Sequence, residues 1–105
     1  IMKKIKVAIC GFGLVGKRRF KFITKNKKFE VIGICDKLIK KKYIKNNIVY
    51  CETIDSLLKL KPQAIFICVT NNVAAKYTMI SLKKGIHVFC EKPPAINVKQ
   101  LLNIK

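Results

Sequence analysis

Apolar residues gather into five short runs along the chain, separated by longer segments of mixed polarity. Ile5 to Cys10 is rich in β-branched residues and ends at glycines, the pattern of a buried strand. Leu14 to about Lys25 holds no proline, and Val15, Phe22 and Ile23 can share one face, which predicts a helix. Phe29 to Cys35, interrupted by Glu30, is the second strand. Lys37 to Lys45 reads as a short basic helix or turn anchored by Leu38 and Ile39, and Ile48 to Cys51 as a short third strand. Thr53 or Asp55 can cap a helix that carries Leu57, Leu58 and Leu60 and stops before Pro62. Ala64 to Val69 is almost wholly apolar, as a central parallel strand should be. A helix over Val73 to Lys84 ends at Gly85, and Ile86 to Cys90 makes a fifth strand. Pro93 and Pro94 force a loop, after which Asn97 can cap a last helix from Val98 to Ile104.

Strands and helices that alternate this regularly, with short connections, predict an α/β fold with a parallel sheet. Right-handed crossovers and double winding give strand order 3-2-1-4-5 in a three-layer α/β/α arrangement. The 105 residues make one domain, with no repeat, low-complexity tract or linker. No apolar run approaches the roughly 18 residues of a membrane span.

Charge changes the picture less than its size suggests. The formal net charge is +18, from 23 basic and 5 acidic residues. Only 2 of the basic residues are arginine, the usual choice for bidentate recognition of phosphates and bases, and 21 are lysine. Lysine, the 16 isoleucines and the 7 asparagines all share A- and T-rich codons, so the excess reads as a genome bias written onto the surface. Salt-sensitive association with polyanions is expected, but no specific nucleic-acid binding. Five cysteines without a CxxC pair do not form a disulfide framework or a zinc pattern, so no metal site is expected. Cys10, Cys35, Cys68 and Cys90 fall at or near strand ends beside any crevice there, and read as small buried hydrophobes. The only histidine, His87, sits inside the fifth strand as a structural residue. Three glycines break the apolar N-terminal stretch, which excludes a signal peptide and leads us to expect a cytoplasmic protein.

The candidate chemistry lies in Gly11-Phe12-Gly13-Leu14-Val15-Gly16, a G-x-G-x-x-G loop between a predicted strand and a predicted helix. Gly11 allows the turn off the strand, Gly13 lets a pyrophosphate approach bare backbone, and Gly16 lets the helix sit close to the sheet. The helix N-terminus then offers unpaired N–H groups and positive dipole to phosphates. Asp36 stands 20 residues past Gly16, at the end of the second strand, where a carboxylate can accept hydrogen bonds from an adenosine ribose. Its charge would repel a 2′-phosphate and so favours NAD, while Lys37 beside it keeps NADP open.

Gly85 to Ala95 reads G-I-H-V-F-C-E-K-P-P-A. With the glycine loop, Asp36 and the I-C-V-T-N-N of Ile67 to Asn72, it resembles the Gfo/Idh/MocA family of NAD(P)-dependent oxidoreductases over nearly the whole chain. The resemblance implies a Rossmann-type fold, truncated at its C-terminal end relative to the family. It implies hydride transfer to or from hydroxyl and carbonyl groups of sugar- or inositol-like molecules. Glu91-Lys92-Pro93 matches the family's Glu-Lys-Pro, which makes Lys92 the candidate catalytic residue beside the nicotinamide. Thr70, Asn71 and Asn72 match its Thr-Pro-Asn, and with Glu91, Lys92 and Pro93 are cofactor-binding candidates. The chain departs from the family at Asn71, where proline is usual, and at Ala75, where many members have histidine.

The family's substrate domain, with its catalytic Asp and His, has no counterpart in these residues. The chain is therefore expected to bind dinucleotide with little or no turnover, and to meet a small-molecule substrate only with a second domain. A non-catalytic dinucleotide-binding or interaction module is the alternative, and a basic nucleic-acid binder a weaker one. An exposed sheet edge is expected to favour homo-oligomers.

Overall fold

The structure, a computed structural model, describes residues 3–90. Glu91, Lys92, Pro93, the Pro94 loop and the helix expected over 98–104 lie outside the described residues. The order of elements is β1 (Ile5–Cys10), α1 (Leu14–Thr24), β2 (Phe29–Cys35), β3 (Tyr43–Lys45), β4 (Ile48–Cys51), α2 (Ile54–Leu58), β5 (Ala64–Ile67), α3 (Asn71–Lys83) and β6 (His87–Cys90). They form one sheet in the order β3-β4-β2-β1-β5-β6. Leaving β3 aside, this is the predicted 3-2-1-4-5 parallel order. The chain reverses direction across the sheet at β1, which pairs with β2 on one side and β5 on the other. In doubly wound sheets such a switch point opens a crevice at the carboxyl ends of the strands.

Each face of the sheet has its own core. Val7, Ile9, Ile34 and Ala64 pack with Ile23 of α1 on one face. Ala8, Cys10, Ile65 and Ile67 pack on the other with Leu57 of α2 and Ala74 of α3. Ile9, Ile34, Leu57 and Ile65 are wholly buried, each contributing about 1.5–3 kcal/mol by removal from water. A register shift between Val7 and Ala8 gives β2 one extra residue, so Ala8 faces Gly33 and Cys10 faces Cys35. Without that bulge, Cys10 would face Ile34.

Two expectations need correction. The segment after Asp36, expected as a short helix or turn throughout, forms a turn at its start and then the edge strand β3, antiparallel to β4. Asn46 and Asn47, both at positive φ (52° and 64°), supply the tight turn between β3 and β4 that their short amide side chains tolerate. The inward face of α1 also differs. Ile23 and Gly16 are buried, but Val15 is 39% and Phe22 69% exposed. Val15 and Phe22 instead line a shallow groove with Arg18 and Arg19.

The other helices follow their signals. The Thr53 side chain accepts the Ser56 N–H and caps α2, and Gly85 at φ 75° closes α3. His87 lies in β6 and is exposed. Among the described residues, no helix is long and apolar enough to cross a membrane.

Candidate functional site

The site begins where β1 stops. Gly11 leaves the strand at φ 97°, and a Cβ there would meet the Cys68 carbonyl oxygen at 2.7 Å, so only glycine makes this turn. Its N–H donates to the Cys35 carbonyl at 2.8 Å, tying the loop to the end of β2. Gly13 caps α1 with no side chain over the helix end, and no acidic residue occupies the first turn. The N–H groups there are therefore open to an anion. Gly16 packs directly on Gly11, and a Cβ on Gly16 would overlap the Gly11 carbonyl oxygen.

Asp36 completes the loop's support. Its Oδ2 accepts the Phe12 N–H at 2.7 Å, and its Oδ1 accepts the Leu38 N–H at 2.9 Å. An ionised carboxylate has about four acceptor positions, so these two bonds hold the half-buried group in place and leave capacity for ligand hydroxyls. Asp36 thus fixes the following turn and the glycine loop together. The Phe12 ring turns away from this junction and packs edge-on against Phe20 and Tyr50, with centroids at 5.8 and 6.2 Å.

Along the carboxyl ends of the strands runs a crevice of about 490 Å³, within the usual range for small-molecule sites. Gly11, Gly13 and Val15 form one wall, with Asp36 and Lys37 at the end of β2. Thr70 lies opposite, at the N-terminus of α3. Six of the candidates thus come together: Gly11, Gly13, Val15, Asp36, Lys37 and Thr70. Phe12 contributes through its backbone and Gly16 through close packing, and neither lines the crevice. Leu14, 68% exposed, and Asn72, exposed on α3, also lie off the lining. Asn71 opens α3. Glu91, Lys92 and Pro93 fall outside the described residues.

Sequence reading missed part of the lining. Glu52 and Ile54 arrive after β4, Val69 after β5, and Val73 and Tyr77 from α3. Burial pushes the Tyr77 phenol above its ordinary pKa. Glu52 pairs with Lys40 at 3.2 Å. Cys10 and Cys35 also line the crevice, their Sγ atoms 3.3 Å apart. The bond between them and burial raise the Cys10 thiol well above its usual range. The same bond, followed by the Gly11 N–H, lowers the pKa of Cys35 against the opposing effect of burial. Among the described residues, no cluster of three His, Cys, Asp or Glu side chains could hold a metal ion.

The model of the oxidoreductase family with NAD-binding Rossmann fold, Gfo/Idh/MocA, matches residues 5–105. A D-glucoside 3-dehydrogenase from Escherichia coli K12 is 31% identical over 103 residues, covering 91% of this chain and 29% of that protein. The chain thus spans less than a third of that relative. Among solved structures, D-galactose-1-dehydrogenase from Rhizobium etli superposes with a TM-score of 0.80 at 22% identity, covering 99% of this chain and 33% of that one. The scyllo-inositol dehydrogenase of Lactobacillus casei, solved with NAD(H) and scyllo-inositol, gives a TM-score of 0.77 at 22% identity, covering 97% and 32%. At these identities the two structures speak for the fold.

Proposed function

Since the chain belongs to the Gfo/Idh/MocA oxidoreductase family, as its NAD-binding Rossmann-fold domain, we propose that the crevice holds NAD(H) for hydride exchange with a hydroxyl or carbonyl group of a sugar- or inositol-like molecule. The observation that carries this is the junction of Asp36 with the glycine loop: a fixed carboxylate with acceptor capacity to spare, beside an uncapped helix N-terminus. The residues fit the group. The open space over Gly13, where a Cβ would meet no heavy atom within 4 Å, suits a pyrophosphate drawn close to bare backbone. Asp36 would hold ribose hydroxyls, and Thr70 and Tyr77 would border the opposite side of the crevice. The bound nicotinamide supplies the hydride or accepts it; the chain's own residues orient the cofactor and exclude water around it.

NAD is the preferred cofactor in this reading, because the Asp36 charge opposes a 2′-phosphate. Lys40 pairs with Glu52, and Lys37 lines the crevice beside Asp36. The substrate class rests on what the relatives' names say they act on. Lys92 is assigned to proton transfer from its place in the Glu-Lys-Pro motif alone. The polypeptide of residues 1–105 binds cofactor by itself without turning substrate over.

Calorimetric titration with NADH and NADPH at physiological salt tests this. Saturable NADH binding, tighter than NADPH and little changed by added salt, is the expected result. Equal binding of both that collapses as salt rises would mark a polyanion effect of the lysine-rich surface and refute the proposal.

A further inference from the structure

Cys10 and Cys35 end adjacent parallel strands as direct register partners, with Sγ atoms 3.3 Å apart. Neighbouring strands lie about 4.8 Å apart, inside the roughly 4.4–6.8 Å between Cα atoms that a disulfide spans. The sulfurs need to close by only about 1.3 Å to reach bonding distance, which side-chain rotation and a small shift of the two strand ends supply. Cys51 is also a register partner of Cys35, but its thiol turns to the Ile34 and Thr53 carbonyls at 3.7 Å. The β2 bulge therefore sets up one thiol pair, and it lies against the crevice. Each cysteine immediately precedes a residue on which the site depends, Gly11 or Asp36.

We propose that Cys10 and Cys35 are a reversible dithiol–disulfide site under the cofactor crevice, oxidised by hydrogen peroxide and coupled to dinucleotide binding. The coupling rests on the function proposed above. Cys35 is the attacking sulfur, since its contact with Cys10 and then the Gly11 N–H lower its pKa while that of Cys10 is raised. Its attack on peroxide breaks the O–O bond, leaves a sulfenic acid on Cys35, and releases hydroxide that takes up a proton as water. Cys10 then gives up its proton as its sulfur attacks the Cys35 sulfur, the S–O bond breaks, and a second water leaves. The two thiols lose two electrons, and one peroxide becomes two waters. A small-molecule thiol reverses the reaction by exchange.

Drawing the sulfurs together shifts the ends of β1 and β2. Those ends set the Gly11–Cys35 backbone bond at 2.8 Å and the Phe12–Asp36 bond at 2.7 Å. The disulfide form therefore holds dinucleotide more weakly, and bound dinucleotide shields the thiols.

The test uses the full chain, reduced and then exposed to hydrogen peroxide with and without NADH. Intact mass and a non-reducing peptide map follow, with NADH affinity measured for both forms. The expected result is a loss of about 2 Da mapped to a Cys10–Cys35 bond, reversed by dithiothreitol and slower with NADH present. NADH binding should weaken by about tenfold, a typical coupling. A folded Cys10→Ala variant should instead keep a sulfenic acid on Cys35 that dimedone traps. A bond between other cysteines, or added oxygen without a cross-link, overturns the site. A disulfide that leaves NADH affinity unchanged overturns the coupling. If neither form binds NADH, the cofactor reading fails with the coupling, while the peptide map still decides the disulfide.

Discussion

Gly13→Ala separates cofactor binding from folding. The Gly13 backbone, at φ −78°, is one that alanine adopts, and a Cβ there meets no protein atom within 4 Å. Replacing glycine by alanine stabilises by about 0.4–1 kcal/mol through the unfolded chain. Alanine is also a poorer N-cap than glycine, which offsets that gain. Stability should therefore stay within about 1 kcal/mol of the parent. The methyl group, however, stands in the crevice at the end of α1, where a pyrophosphate must meet backbone N–H groups. Losing one hydrogen bond to a charged phosphate costs about 1.5–3 kcal/mol, or about 10- to 150-fold in affinity. Urea unfolding and NADH fluorescence titration of the same preparation read the two effects. An unfolded variant, or one that binds NADH like the parent, would refute the reasoning.

Other perturbations separate the remaining parts of the account. Gly16→Ala should cost about 1–3 kcal/mol of stability, seen by urea unfolding, because its methyl overlaps the Gly11 carbonyl that the helix packs against. Asp36→Ala should weaken NADH binding and narrow the gap to NADPH in paired titrations, since it removes the acceptor of the Phe12 and Leu38 N–H groups and the charge that opposes a 2′-phosphate. Burial holds the thiols of Cys51 and Cys68 at about 11, above the ordinary 9.0. A pKa raised in the folded state gives stability that is complete below pH 9 and lost as pH rises from 9 to 11, so urea midpoints should fall across that window, less steeply in Cys51→Ala. Lys61, at φ 57° before Pro62, adopts a conformation costing about 1–2 kcal/mol for a residue with a Cβ. Lys61→Gly should therefore raise the melting temperature once the entropic cost of glycine is deducted.

The strands that bury both faces were legible because they are apolar runs bounded by glycine, asparagine, proline or charged residues. β3 was not. Tyr43-Ile44-Lys45 is three residues long, exposed and set among lysines, so it carries no burial signal. Its trace was the Asn46-Asn47 pair between two runs with strand propensity. The inward stripe of α1 was misread for a related reason: Gly16, one of its two buried positions, has no side chain to register as apolar, while Val15 and Phe22 do. In the site, the glycine loop and Asp36 were legible because they share one strand–helix–strand unit, β1–α1–β2. Glu52 and Ile54 follow β4 and Tyr77 lies midway along α3, segments that only the crossovers bring together. The Cys10–Cys35 pairing depends on one extra residue in β2, and spacing along the chain does not reveal such a bulge.

The most direct test of the central claim is an amide NMR map of the chain titrated with NADH at physiological salt. The account predicts saturable shifts centred on Gly11, Phe12, Gly13, Asp36 and Thr70, with little change at the exposed lysines 40–42 and 83–84. Shifts that instead follow the lysines and vanish with added salt, or a folded chain with no shifts at all, would contradict it.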